Sequence, residues 1–179
     1  ALYHATKDWE RNTDLESTAT ILTRKRESNG IEFELAGRIT DKWEIFSGLS
    51  LIDAEILEVA PTNGNPNYIG QPPRNTPKQT FNLWTTYQLP MGFKIGGGME
   101  FKSKRYGAAP TGKAAFNPNY VSSYTRWDAM VAYEQPKYTV KFNIQNLFDK
   151  LYYDALYDNG GFSIPGQARR FILSTEYKF

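Results

Sequence analysis

The sequence predicts an all-β fold whose antiparallel strands cross a membrane as the wall of an outer-membrane-type β-barrel. Three observations carry this: residues alternate in character along most of the chain, one of the two resulting faces holds no charge, and short and long connections take turns. The alternation is clearest at the C-terminus. Phe171, Leu173, Thr175, Tyr177 and Phe179 share one side, and Arg170, Ile172, Ser174, Glu176 and Lys178 the other, because successive strand side chains point to opposite faces. Lipid outside and water or protein inside account for such a pattern.

Eight strands are expected, at roughly 1–8, 17–40, 42–57, 78–89, 92–106, 120–134, 137–148 and 168–179. The first opens almost at once with Leu2-Tyr3-His4-Ala5-Thr6. The second turns Ile31, Phe33, Leu35, Gly37 and Ile39 to lipid, while Arg24, Lys25, Arg26 and Glu27 at its start stand above the membrane. The third offers Trp43, Ile45, Ser47, Leu49 and Leu51, and the fourth Phe81, Leu83, Thr85, Tyr87 and Leu89. The fifth gives Phe93, Ile95, Gly97, Met99 and Phe101. Thr125, Trp127, Ala129, Val131 and Tyr133 follow in the sixth, then Tyr138, Val140, Phe142 and Ile144 in the seventh. With the last strand, none of about 34 positions is charged, where a chain that is 22% charged would place roughly seven. A Lys or Arg at mid-membrane on this face costs ~2–4 kcal/mol.

Three connections are tight: Thr40-Asp41-Lys42, Pro90-Met91-Gly92 and Gln135-Pro136-Lys137. The others, 9–16, 58–77, 107–119 and 149–167, are longer and carry turn-forming stretches such as Asn63-Gly64-Asn65-Pro66-Asn67 and Asn159-Gly160-Gly161. Short periplasmic turns and long extracellular loops are the asymmetry of outer-membrane barrels, so Phe179 falls at the periplasmic rim. Trp43, Tyr87, Phe93, Tyr133, Tyr138, Tyr177 and Phe179 all lie on the apolar face at that end. They form one interfacial girdle.

The opposite face carries Glu32, Glu34, Arg38, Glu44, Lys94, Glu100, Lys102, Arg126, Asp128, Glu134, Lys141, Arg170, Glu176 and Lys178. Mixed signs suit a salt-bridged lumen lining better than an ion path of one sign. Gly96 and Gly98 on this face suggest a bend or a close approach by whatever fills the lumen. A net charge of +2 argues against nucleic acid as a partner. The chain has no Cys and a single His, so no disulfide framework, thiolate chemistry or His-based metal site is expected, and no cofactor. Glu100, Asp128 and Glu176 have no His base beside them and no Ser or Cys in a nucleophile motif, so no catalytic residue is expected. No stretch approaches the ~20 continuous apolar residues that a spanning helix needs, and the mean hydropathy of −0.56 does not exclude spanning strands, half of whose residues are polar.

Four stretches carry a family resemblance. They are Asn29-Gly30-Ile31-Glu32-Phe33-Glu34; Asn75-Thr76-Pro77-Lys78 with Asn82-Leu83-Trp84; Asn146-Leu147-Phe148-Asp149-Lys150 with Tyr152-Tyr153; and Pro165-Gly166 leading through Arg169 to Tyr177-Lys178-Phe179. In this order they resemble the C-terminal barrel of TonB-dependent siderophore receptors, more loosely the catecholate type. The resemblance implies that residues 1–179 are the last eight or so strands of a barrel of about 22 strands. The N-terminal plug domain and the TonB box that engages the TonB complex would lie outside it. It further implies the bacterial outer membrane, its lipid as solvent, and import of a ferric siderophore. The siderophore's own ligands already fill the iron's coordination, so the receptor would read the organic shell and its charge. A complete small eight-stranded barrel with an anchoring, adhesion or lipid-binding role is the alternative.

Aromatic surfaces and basic donors near the mouth suit such a ligand. The candidates are Arg105, Tyr106, Tyr153, Tyr157 and Arg169, with Phe116, Tyr120, Tyr152, Phe162, Tyr68 and Arg74 behind them. Glu100, Arg126, Asp128 and Lys141 are expected to face the lumen and the plug. Phe171, Leu173, Tyr177 and Phe179 resemble the terminal signal read by the barrel-assembly machinery. The Asn146–Lys150 stretch is expected to serve the fold, with Asn146 ending a strand and Asp149 in a turn.

Overall fold

The computed structural model describes residues 1–12, 20–60, 66–107, 119–157 and 162–179. Strands β1 (Leu2–Asn12), β2 (Thr20–Thr40), β3 (Trp43–Val59), β4 (Gln79–Gln88) and β5 (Phe93–Lys102) follow one another in chain order. β6 (Arg105–Tyr106) and β7 (Tyr120–Val121) are short. β8 (Tyr124–Glu134), β9 (Tyr138–Gln145), β10 (Tyr153–Tyr157), β11 (Phe162–Pro165) and β12 (Arg170–Tyr177) complete the set. One antiparallel sheet of eight strands runs β1-β2-β3-β4-β5-β8-β9-β12. Two small hairpins, β6–β7 and β10–β11, occupy the long connections. Among the described residues β1 pairs only with β2 and β12 only with β9. The sheet is an open section of wall, and the closed eight-stranded barrel does not form.

The register tests the two faces directly. Phe33, Leu49, Phe81, Phe101 and Thr125 stand in one cross-strand row. Leu35, Ser47, Leu83, Met99 and Trp127 stand in the next. Further along, Ile95, Val131, Phe142 and Leu173 are aligned. Apolar-face residues pair with apolar-face residues throughout, except where the register shifts beside the first tight turn and sets Trp43 against Thr40. The girdle is equally coherent: Trp43 pairs with Tyr87, Phe93 with Tyr133 and Tyr138 with Tyr177.

All three tight turns lie on one rim. Asp41 and Lys42 alone separate Thr40 from Trp43. Pro90–Gly92 forms a tight turn in which Met91 (φ 63) and Gly92 (φ 86) are left-handed. Glycine takes that conformation without steric cost, and a Cβ on Gly92 would also strike the Glu134 carbonyl. At the third turn the Gln135 N–H donates to the Tyr138 carbonyl at 2.8 Å.

Four departures from the sequence reading concern the other rim. β1 runs on to Asn12. The strand expected over 92–106 stops at Lys102, and Arg105–Tyr106 pairs instead with Tyr120–Val121, which also shortens the strand expected from 120. The strand expected over 137–148 stops at Gln145 because Asn146 turns left-handed at φ 52. The connection 149–167, expected as loop, contains the β10–β11 hairpin. Buried apolar side chains also gather at this rim: Ile56, Tyr68, Val121, Tyr124, Tyr152 and Leu156. Connections folding back over the wall supply there the second layer that a single sheet lacks.

Gly98 has a different role from the one expected. The Trp84 ring of the paired strand covers it, and a Cβ there would meet Trp84 Cε3 at 2.7 Å and the Leu83 carbonyl. Met130 Cε and Thr86 Cγ2 crowd Gly96 in the same way, at 2.9 and 3.1 Å. The space belongs to neighbouring side chains of this sheet.

Candidate functional site at the extracellular mouth

Alternation brings Glu100 and Lys102 of β5 to the lumen face, beside Arg126 and Tyr124 of β8, their cross-strand partners. Arg126 Nη2 lies 3.3 Å from Glu100 Oε2 and 3.1 Å from Asp128 Oδ2. Its Nη1 donates to the Tyr152 hydroxyl at 3.3 Å. The Tyr152 ring packs on Tyr124 at 4.3 Å between centroids. The Tyr124 hydroxyl reaches two carboxylates, Glu100 and Asp154. Lys102 Nζ completes the circuit, 2.9 Å from Asp154 Oδ1 and 3.5 Å from Glu100 Oε1.

Asp154 belongs to β10, so these contacts fasten the β10–β11 hairpin to the wall. Arg105 does the rest: it is only 2% exposed, and its Nη1 and Nη2 donate to the carbonyls of Asp154 and Tyr153 at 2.8 and 2.9 Å. The Asn75 carboxamide holds the main chain of Leu156 one step further along. The Lys102 ammonium, followed by the Tyr124 hydroxyl and the Arg105 charge, holds the Asp154 carboxyl below its ordinary range. Three acids, Glu100, Asp128 and Asp154, meet three bases, Lys102, Arg105 and Arg126. The cluster is electrically closed, with no spare cation for an anionic ligand.

Asn146 anchors the turn beneath. Its amide donates to the carbonyls of Lys150 and Gln167, both at 2.9 Å, and its oxygen accepts the Lys150 N–H at 2.8 Å. Its own N–H donates to Asp128 Oδ1 at 2.8 Å, tying the turn to the charged cluster. Asp149 (φ 51) accepts the Arg169 N–H at 2.9 Å. Both residues serve the fold, as their sequence context suggested.

The candidates from sequence therefore separate. Arg105 points inward and is consumed by main-chain carbonyls, and Tyr68 is buried. Neither presents itself to a ligand. Tyr152 lies beneath the hairpin against Tyr124 and Arg126. Tyr106 and Tyr120 pair on the β6–β7 hairpin. Arg169 is exposed, 4.0 Å from Asp149 and 5.9 Å from the Phe171 ring, and Arg74 is exposed near the mouth. Tyr157 pairs with Phe162 in the hairpin ladder, and Phe116 lies outside the described residues.

Leu156 and Asp154 face the wall, so alternation turns Ala155, Phe162 and Ile164 away from it. Phe162 is 71% exposed and Ile164 49%. Glu100, Arg126 and Asp128 face the lumen in one network, whereas Lys141 lies far nearer the periplasmic rim, paired with Ser174. Phe171, Leu173 and Tyr177 line the lipid face of β12, with Tyr177 packed 5.2 Å from Phe179. Sequence reasoning missed Asn75, Tyr124 and Asp154 as site residues. Tyr124 shares the parity of Arg126 and was within reach; Asp154 depends on a hairpin that pattern did not reveal.

The family model described as TonB dependent receptor-like, beta-barrel matches residues 8–147. The chain belongs to the TonB-dependent receptor family. Like the barrels of that family it is an outer-membrane β-sheet wall. It is 29% identical over 178 residues to the probable TonB-dependent receptor BfrD of Bordetella pertussis, covering 96% of this chain and 24% of that protein. It is 31% identical over 179 residues to the probable TonB-dependent siderophore receptor PiuA of Acinetobacter baumannii, covering 95% of this chain and 23% of the relative. The crystal structure of PiuA superposes with a TM-score of 0.80 over 99% of this chain and 25% of that one, at 27% identity. The catecholate siderophore receptor Fiu of Escherichia coli K12 is 26% identical over 160 residues, 87% of this chain and 20% of its own length. The chain thus spans about a quarter of the length of these two TonB-dependent relatives.

Proposed function

We propose that this chain forms part of the barrel wall of a TonB-dependent receptor that binds and imports a ferric siderophore, of catecholate type. The carrying observation is the end-to-end match to PiuA, a siderophore receptor by name, across 95% of the chain. Fiu, named a catecholate receptor, supports the sub-type. In this reading a plug contributed by sequence N-terminal to the chain fills the lumen and engages the TonB complex. Glu100, Arg126 and Asp128 lie on the surface it would meet. The role is transport, with no catalytic step.

The mouth supports the same reading with a changed cast. Phe162 and Ile164, exposed on the side of the β10–β11 hairpin turned away from the wall, offer apolar surface to the ligand's organic shell. Tyr153 and Tyr157 belong to the same hairpin. Arg169, exposed and only loosely paired, is the cation available to an anionic complex. Arg105 acts through the hairpin it fastens. Phe171, Leu173, Tyr177 and Phe179 would be read by the barrel-assembly machinery, pairing along the free edge of β12.

The test deletes the gene for the intact receptor and measures uptake of radiolabelled iron from ferric catecholate, hydroxamate and mixed siderophores. Loss confined to catecholate complexes is expected. Loss confined to another class overturns the sub-type, and uptake unchanged for every complex overturns the transport reading.

A further inference from the structure

The β6–β7 hairpin has two sides. Arg105 and Val121, a cross-strand pair, are buried on the side that meets Tyr124 and Asp154, which is the lumen side. Tyr106 and Tyr120, the adjacent pair, therefore face the other way, outward. Lys104 joins them. Its ammonium lies 3.9 Å from the centre of the Tyr120 ring and 4.8 Å from that of Tyr106. The two rings stand edge-on, 6.5 Å apart at 63°. Tyr120 and Lys104 are exposed.

The height of this cluster matters as much as its direction. It sits just past the extracellular ends of β5 and β8, above the apolar row of Phe81, Phe101 and Thr125. That is the level of the outer-leaflet headgroups, where amphipathic rings settle. The ion pairs of the mouth, Lys102–Asp154 and Arg126–Glu100, lie on the opposite face. Among the described residues no carboxylate pairs with Lys104.

We propose that Lys104, Tyr106 and Tyr120 bind a phosphorylated lipid headgroup of the outer leaflet. The ring faces hold the ammonium in place by cation–π attraction, leaving its remaining N–H bonds for phosphate oxygens, and the exposed Tyr120 hydroxyl can add a donor. A single cation holds free phosphate weakly in water. A lipid phosphate gains further, because its acyl chains cover the Phe81–Phe101 row directly below. The outward direction of the cluster makes this site independent of any ligand taken up through the mouth.

The intact receptor containing this chain, purified in mild detergent, is incubated with bisphosphorylated lipid A, with the same lipid stripped of phosphate, and with inorganic phosphate as competitor. Bound lipid is counted by native mass spectrometry. Retention of the phosphorylated lipid should exceed that of the stripped lipid by about fivefold. Lys104→Gln should erase that margin, and Lys104→Arg should keep most of it. Equal retention of the two lipids by the unsubstituted receptor overturns the proposal, without any variant having to fold. So does a margin unchanged in Lys104→Gln, or displacement of the lipid by an equal concentration of inorganic phosphate, which would mark a free-anion site.

Discussion

Asn75 holds the main chain of Leu156, 81 residues further on, from both sides: its Nδ2 donates to the Leu156 carbonyl and its Oδ1 accepts the Leu156 N–H at 2.9 Å. A side-chain amide thus takes the place of a neighbouring strand. The grip depends on Asn75 lying at φ 52, a region asparagine tolerates better than most residues. The connection before β4 and the hairpin after β9 become one unit without a shared backbone ladder.

Asn75→Gly keeps the backbone conformation and removes both bonds. Local stability of the hairpin should fall by about 1–3 kcal/mol, read as faster hydrogen exchange of the Leu156 amide in the intact receptor. Asn75→Ala should be worse, since alanine resists a positive φ. Exchange at Leu83, deep in the wall, should not change in either variant.

Asp154 gives the same hairpin a pH dependence. Its folded-state pKa is lowered from an ordinary 3.8, chiefly by the Lys102 hydrogen bond. A depressed carboxylate stabilises at pH above its unfolded pKa, and the contribution fades as pH falls through the folded one. The clasp should therefore hold throughout the neutral and mildly acid range and loosen only below the ordinary aspartate range. Limited proteolysis within 153–165, by an acid-active protease across pH, checks this. Asp154→Asn should flatten the profile.

Leu83 and Asn82 are chain neighbours on opposite faces. Leu83→Lys should cost ~2–4 kcal/mol in folding into lipid vesicles. Asn82→Lys, which places its charge across from Glu100 in the lumen, should cost far less. Urea titration of vesicle-inserted receptor measures both, and equal costs would contradict the assignment of faces.

Gly98→Ala should destabilise by about 1–3 kcal/mol, because its methyl meets Trp84 Cε3 at 2.7 Å and the Leu83 carbonyl. Trp84→Ala in the same molecule should relieve part of that cost, leaving the two changes less than additive. The carbonyl clash remains, so relief should be incomplete. The same urea titration reads the coupling.

What could be read in advance follows the physics of alternation. Leu83, Met99 and Trp127 were placed on one face from their spacing alone, and the register puts them in one row. The turns at Asp41, Met91 and Pro136 were equally legible, because tight reversals need particular residues. Parity fails where a strand breaks. Between Lys102 and Arg105 the backbone leaves the sheet, so Arg105 turns inward where a ligand-facing cation was expected. Asp154 and Leu156 owe their roles to partners 52 and 81 residues away, Lys102 and Asn75. Nothing local announces such distances.

The shared rows also govern how this chain can change length. One residue inserted between Phe93 and Lys102 would reverse every later side chain of β5, turning Glu100 and Lys102 to lipid and Met99 and Phe101 to the lumen. Two would restore the faces but slide each residue past its partner in β4 and β8. Insertions and deletions should therefore be purged from the strands and collect in the outward connections, such as the run between Tyr106 and Tyr120. Receptors descended from a common ancestor would then keep one wall length while their mouths diverge in size.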